Sequence, residues 1–144
     1  MKENLDPNWL GNEEEDEIYR ENIIDHFKNP RNFGEIIEAE IKHSELNSIC
    51  GDMIRLFVKL EDKKVSDVKF KGNGCAISMA ATSMMTEVLK GKTLEEIKKL
   101  SKEDIFEMLG IKLGIVRIKC GLLCLNTLMN GIKTMEDNKN GIKN

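Results

Sequence analysis

The sequence predicts an α+β domain, a three-stranded antiparallel sheet packed with about five helices. Two observations carry this. The strand-like segments lie in one block, between residues 41 and 71, joined by short turns. The helical patterns lie before and after that block. They do not alternate with the strands, as the crossovers of a parallel sheet would require.

From Asp16 to Lys28, Ile18, Tyr19, Ile23, Ile24 and Phe27 recur at helical spacing. Asn29-Pro30-Arg31-Asn32-Phe33-Gly34 stops that helix, because proline breaks the hydrogen-bond ladder and Asn and Gly favour turns. Ile41 to Ile49 is mostly polar and only weakly alternating, which predicts an edge strand. Met53 to Leu60 alternates well, with Ile54, Leu56, Val58 and Leu60 opposite Arg55 and Lys59. A hairpin near Asp62-Lys63-Lys64 leads into Val65 to Lys71, where Val68 and Phe70 share a face. Cys75 to Leu89 is apolar with small residues, and Gly91 caps it. Thr93 with Glu96, and Ser101 with Asp104, form the capping signatures of two short helices, to Leu100 and Leu109. A long helix from Gly114 to Met135 carries Ile118, Leu122, Leu125, Leu128, Met129 and Ile132. Residues 1–15 read as a mobile acidic tail in which Trp9 is a candidate for docking. Residues 16–135 read as one domain, and 136–144 as a frayed tail. No internal repeat or linker divides the chain.

With 144 residues, 40% apolar and 33% charged, the composition is that of one globular domain. Net charge is −3, unevenly spread: residues 1–17 contribute −6 and the remainder +3. So small a positive balance, with dispersed lysines, argues against nucleic acid, which calls for a dense basic face. No uninterrupted apolar run reaches the ~18 residues of a membrane span. The acidic N-terminus resembles neither a secretion signal nor a transit peptide. The expected location is the cytoplasm, where thiols stay reduced and cysteines near glycines bind metal or react more often than they pair.

Three of the four cysteines stand out. Cys50 lies in Cys50-Gly51-Asp52, Cys75 ends Gly72-Asn73-Gly74-Cys75, and Cys120 follows Arg117-Ile118-Lys119. The hairpin brings the Cys50 turn and the Cys75 turn to the same end of the sheet. Gly72 and Gly74 imply positive φ or a close approach of backbone. A helix start at Cys75, and positive neighbours at Cys120, favour thiolates. Asp52 offers a harder oxygen to a shared soft metal, so three thiolates and this carboxylate would make a labile site. Turn residues and a buried helix-start cysteine remain ordinary alternatives at Cys50, Asp52 and Cys75. Cys124, one helical turn after Cys120, reads as a core residue ahead of a reserve thiol. Met79, Met84, Met85, Met108 and Met129 read as core filler, and neither His26 nor His43 as a ligand.

At these residues the sequence resembles the iron–sulfur cluster scaffold family of IscU and the N-terminal domain of NifU. The resemblance spans Ile18 to Met135. It rests on Asp25-His26-Phe27-Lys28-Asn29-Pro30-Arg31-Asn32-Phe33-Gly34, Cys50-Gly51-Asp52, Gly72-Asn73-Gly74-Cys75-Ala76-Ile77-Ser78, Gly91-Lys92-Thr93-Leu94 and the Cys120 helix, in that order. It implies the IscU-like (SufE/NifU) fold and a scaffold or carrier, not a conventional enzyme. It implies that Cys50, Cys75 and Cys120 hold a [2Fe–2S] cluster, with Asp52 as ligand or as the group that keeps the cluster transferable. A cysteine desulfurase would deliver persulfide sulfur, with Cys120 the candidate acceptor. Iron and electrons from a donor such as ferredoxin would join it, and the cluster would pass to apo iron–sulfur proteins. The Asn29–Gly34 turn and the helix before it become candidate desulfurase contacts. A homodimer sharing the cluster stays open.

Two departures qualify the resemblance. Lys119 stands where many IscU proteins have histidine, so a fourth ligand rests on Asp52, Cys124 or an external group. Leu113-Gly114-Ile115-Val116-Arg117 replaces the Leu-Pro-Pro-Val-Lys segment that a dedicated Hsp70 chaperone recognises. Lysine at that position is shared with the SufU branch, which binds zinc and relays sulfur. SufU proteins carry an insertion before the third cysteine. The 45-residue separation of Cys75 and Cys120 is closer to IscU. Cluster assembly is therefore preferred over zinc-dependent sulfur relay.

Overall fold

The computed structural model describes residues 13–139. Its order is α1 (Glu13–Lys28), β1 (Ile41–Asn47), β2 (Asp52–Glu61), β3 (Lys64–Asn73), α2 (Ala76–Leu89), α3 (Leu94–Lys98), α4 (Lys102–Leu109) and α5 (Ile115–Lys139). The fold is thus α+β, with one antiparallel sheet of order β1-β2-β3 and five helices. Trp9 and most of the expected N-terminal tail lie outside the described residues.

The sheet forms where alternation and turn chemistry agree. Ile54, Leu56 and Val58 of β2 and Val65, Val68 and Phe70 of β3 are buried on the inner face. Asp62 and Lys63 both take positive φ, 52° and 63°, as a two-residue hairpin turn between paired Glu61 and Lys64 demands. The register sets Met53 opposite Asn73 and Asn47 opposite Asp52. The chain therefore enters β2 and leaves β3 at one rim.

Helices α2 and α5 cover the inner face. α5 lies along β1 and β2, while α2 packs on β3 and α5 and carries α1 and α4 on its outer side. Gly131 lets α5 approach β1 closely, since a Cβ there would stand 2.8 Å from Ile41 Cγ2 and 3.0 Å from His43 Cβ. Both capping boxes are present, Thr93 with Glu96 and Ser101 with Asp104. α5 ends at Lys139, past the expected Met135. Met135 is buried, and Glu136 bonds Lys98 Nζ at 2.5 Å, which holds another turn in place. By length and composition alone α5 could cross a membrane, although charges interrupt its apolar run. Leu123, Leu125, Leu128 and Ile132 are instead buried against the domain.

The Asn29–Gly34 turn does more than stop α1. Asn32 takes φ 59°, its carbonyl accepts from the Phe70 N–H, and the Gly34 N–H donates to the Phe70 carbonyl. The segment thereby covers the free edge of β3. Ser83 on α2 accepts from the Arg31 N–H at 2.9 Å and meets His26 Nδ1 at 2.7 Å. Burial pulls the His26 imidazole below its ordinary 6.5, and the Arg31 charge adds to that shift. An unfolded His26 titrates at the ordinary value, so between it and the lower folded value the unfolded chain binds more protons. His26 should thus stabilise the fold fully above pH 6.5, and lose that contribution as pH falls through the folded pKa. Urea unfolding from pH 7.5 to 5 checks this: His26→Gln should flatten the decline in stability, and an unchanged slope would assign the decline elsewhere.

Candidate metal centre

Cys50 precedes β2, Cys75 is the N-cap residue of α2, and Cys120 lies on the first turns of α5. Three distant segments meet at the rim that the hairpin defines. Cys50 Sγ and Cys120 Sγ are 3.1 Å apart, too far for a disulfide, and all four cysteines are free. One ligand atom each from Cys50, Asp52 and Cys120 lie within 4.8 Å of one another. Cys75 Sγ is 3.7 Å from Asp52 Oδ2, which places the third thiol beside the same carboxylate.

Asp52 is the joint of this arrangement. As the first residue of β2 it is only 1% exposed. Its Oδ1 accepts from the Cys75 N–H at 2.9 Å, leaving Oδ2 turned to the sulfurs. Gly51, at φ 71°, lets the chain reverse between Cys50 and Asp52. Gly72 and Gly74 act by close approach and not by positive φ. A Cβ at Gly72 would stand 2.5 Å from the Met53 carbonyl oxygen. At Gly74 it would stand 2.7 Å from Asp52 Oδ1 and 2.6 Å from Ser78 Oγ.

The donor set suits a soft or borderline cation. Two sulfurs bound to one tetrahedral metal at about 2.3 Å stand about 3.8 Å apart, so a small opening of the Cys50–Cys120 pair would admit it. No described lysine or arginine pairs with the Asp52 carboxylate. Buried carboxylates are generally paired or bound to metal. The expected help from Lys119 is absent, because Lys119 is exposed while Cys120 is fully buried. Burial, reinforced by Cys50, Asp52 and Cys75 as neighbours, raises the Cys120 thiol well above its ordinary value. A cation must therefore displace a proton there. Cys124 is buried too, its thiol pushed up to about 12 by burial, and it faces the core with its sulfur 3.6 Å from the Gly121 carbonyl oxygen. His26 contacts Ser83 and His43 contacts Glu45, so neither joins the thiols. Met79, Met84 and Met85 are buried and Met108 and Met129 pack against the core, as expected of filler.

Two neighbours escaped the sequence reading. Asn47 Nδ2 lies 3.8 Å from Cys120 Sγ, and the buried Ser78 hydroxyl lies 3.8 Å from Cys75 Sγ while donating to the Cys75 carbonyl. Ser78 was legible as the third residue of a helix opened by Cys75, whereas Asn47 sits on a strand whose polarity masked its inward face. Two larger grooves lie elsewhere. One of about 940 Å³ is lined by Tyr19, Phe106 and Leu113, and one of about 600 Å³ by Val88, Leu100 and Met108.

The NifU-like N terminal domain model matches residues 18–141. The chain is 37% identical over 115 residues to an iron–sulfur cluster assembly scaffold protein IscU of Archaeoglobus fulgidus, covering 80% of this chain and 74% of that one. It is 39% identical to the zinc-dependent sulfurtransferase SufU of Bacillus subtilis, over 84% of this chain and 93% of that one. Among solved structures, a candidate iron–sulfur cluster assembly scaffold protein for the SUF system, from Fervidobacterium islandicum, superposes with a TM-score of 0.69. Its identity is 32%, over 81% of this chain and 97% of that one.

Gly74→Ala should push Asp52 off the Cys75 N–H and weaken metal binding by about tenfold or more, the usual cost of disturbing groups that orient ligands. Competitive zinc titration against a chromophoric chelator measures it, and wild-type affinity would show that the close approach at Gly74 does not hold the site.

Proposed function

The chain belongs to the family of NifU-like N-terminal domains, and on that premise we propose that it is a scaffold on which an iron–sulfur cluster is assembled and from which the cluster leaves. The observation that carries this reading is the convergence of three thiols and one carboxylate at an edge of the domain. A [2Fe–2S] cluster is cargo here. Cys50, Cys75 and Cys120 would supply thiolates, and Asp52 a harder oxygen that binds iron more weakly than sulfur does. Cys50 is exposed, so the set opens to solvent and to an incoming protein. These features favour loading and release over permanent storage.

Sulfur would come from a cysteine desulfurase. The Cys120 thiol first gives up its proton, for which the neighbouring Asp52 carboxylate is the acceptor, and the resulting thiolate attacks the outer sulfur of the enzyme's persulfide. An S–S bond forms on the scaffold, the S–S bond of the desulfurase breaks, and the desulfurase cysteine departs as a thiolate. Because Cys120 is buried behind exposed Cys50, acceptance requires Cys50 to move aside. Iron and an electron donor such as ferredoxin complete the cluster, which passes to an apo iron–sulfur protein. Four free thiols suit the cytoplasm, where thiols stay reduced.

Zinc-dependent sulfur relay is the second reading, favoured by similarity to the Bacillus subtilis sulfurtransferase. That alignment runs over 138 positions but only 84% of these 144 residues, so about 17 positions of the relative lack a counterpart here. The Archaeoglobus fulgidus alignment covers 115 positions and 80% of the chain, with no such excess. On this count the chain follows the Archaeoglobus fulgidus scaffold and not the Bacillus subtilis sulfurtransferase.

Anaerobic incubation with iron, cysteine and a desulfurase tests the proposal. Equal iron and acid-labile sulfide, transferable to apo-ferredoxin, is the expected result; tight zinc, faster desulfurase turnover and no transferable cluster would replace assembly with relay. Asp52→Ala should lengthen cluster lifetime during transfer severalfold, and faster loss would contradict a releasing role for Asp52. Persulfide trapping after desulfurase turnover should label Cys50→Ser but not Cys120→Ser; the reverse pattern would make Cys50 the acceptor.

A further inference from the structure

Strand β1 runs along α5 with alternate residues turned toward it. Ile41 is fully buried there, Gly131 of α5 approaches Ile41 and His43, and Glu45 Oε1 accepts from Asn130 of α5 at 3.2 Å. Asn47 is the last residue of that inward series and of the strand, paired with Asp52 in the sheet. Its amide is oriented by a second contact, since the Ile49 N–H donates to Asn47 Oδ1 at 3.3 Å. The oxygen being committed to that N–H, the amide nitrogen faces Cys120 Sγ at 3.8 Å.

We propose that Asn47 is a positioning residue for the Cys120 sulfur, donating an N–H to it when it binds metal as a thiolate. The proposal rests on the scaffold reading above, in which Cys120 is a ligand. The Cys120 sulfur lies 3.1 Å from Cys50 Sγ and 3.7 Å from the Val116 carbonyl oxygen. Bound to metal as a thiolate it has no proton to donate and carries negative charge. An N–H then becomes the favourable contact, because a hydrogen bond to an ionised acceptor is about twice as strong as one between neutral groups. The bond withdraws charge from the sulfur and fixes its direction at the rim. Outer groups of this kind orient ligands and tune the metals they hold. Asn47 thus links the turn that carries Cys50 to the helix that carries Cys120, without itself touching metal.

Cobalt(II) is the probe, because thiolate-to-cobalt absorption reports electron density on the sulfurs without cluster assembly. Full-length wild type, Asn47→Ala, the near-isosteric Asn47→Leu and the control Asn130→Ala are titrated anaerobically, with folding checked by circular dichroism. Both Asn47 variants should move the thiolate band to lower energy and weaken cobalt binding about tenfold. Asn130→Ala, which disturbs the same β1–α5 seam without touching sulfur, should do neither. An unchanged band in the Asn47 variants beside a full wild-type band overturns the proposal and leaves the ligand set standing. An equal shift in Asn130→Ala also overturns it, reducing the effect to a loosened seam. Absence of a thiolate band in wild type removes all three thiols, Cys120 among them, as ligands, and the scaffold reading and this proposal fall together.

Discussion

The hydrogen bond from the Cys75 N–H to Asp52 Oδ1 closes the rim of the domain on itself. It ties the first residue of β2 to the residue that opens α2, across the ends of a hairpin whose register brings them level. Gly74 permits the approach by lacking a Cβ, and Gly51 permits the reversal that separates Cys50 from Asp52. With those ends joined, only Cys120 has to be brought in. α5 does so by lying along β1 and β2 with Gly131 in contact range of β1. Hairpin, α2 and α5 thus share one point of convergence, and the proposed ligand groups are found there.

That convergence concentrates acidic protons and negative charge in little space. Three thiols and a buried carboxylate would repel one another if all were ionised, and among the described residues no lysine or arginine forms an ion pair with Asp52. The buried Cys120 thiol accordingly holds its proton strongly without metal. A cation bound at the proposed site would resolve the conflict by replacing protons, and its departure would restore it. Binding at such a site is coupled to proton release, so affinity falls as the medium becomes more acid. A site that competes with protons in this way is suited to transient occupancy.

Much of this was legible in the sequence because local chemistry and global fold agree. Alternation of Ile54, Leu56 and Val58, the polar Asp62-Lys63-Lys64 break between two strand-like runs, and the Thr93–Glu96 and Ser101–Asp104 caps each fix an element by near-neighbour physics. The hairpin brought Cys50 and Cys75 together on the same grounds. What was not legible depends on contacts between distant elements. The polar series His43, Glu45 and Asn47 suggested an edge strand, which β1 is, but not that these residues face α5. Lys119 adjoins Cys120 in sequence yet points to solvent, so burial and not the neighbouring charge governs that thiol. The role of Asn32 and Gly34 in covering the edge of β3 needed the sheet itself to be seen.

The central claim is that Cys50, Asp52, Cys75 and Cys120 act as a single ligand set. Zinc-edge X-ray absorption of the zinc-loaded chain tests it most directly, because zinc brings no sulfur of its own. The account predicts three sulfurs at about 2.3 Å and one oxygen at about 2.0–2.2 Å. Imidazole scattering, or a fourth sulfur in place of the oxygen, would contradict it, by bringing in a histidine or Cys124 and removing Asp52 from the metal.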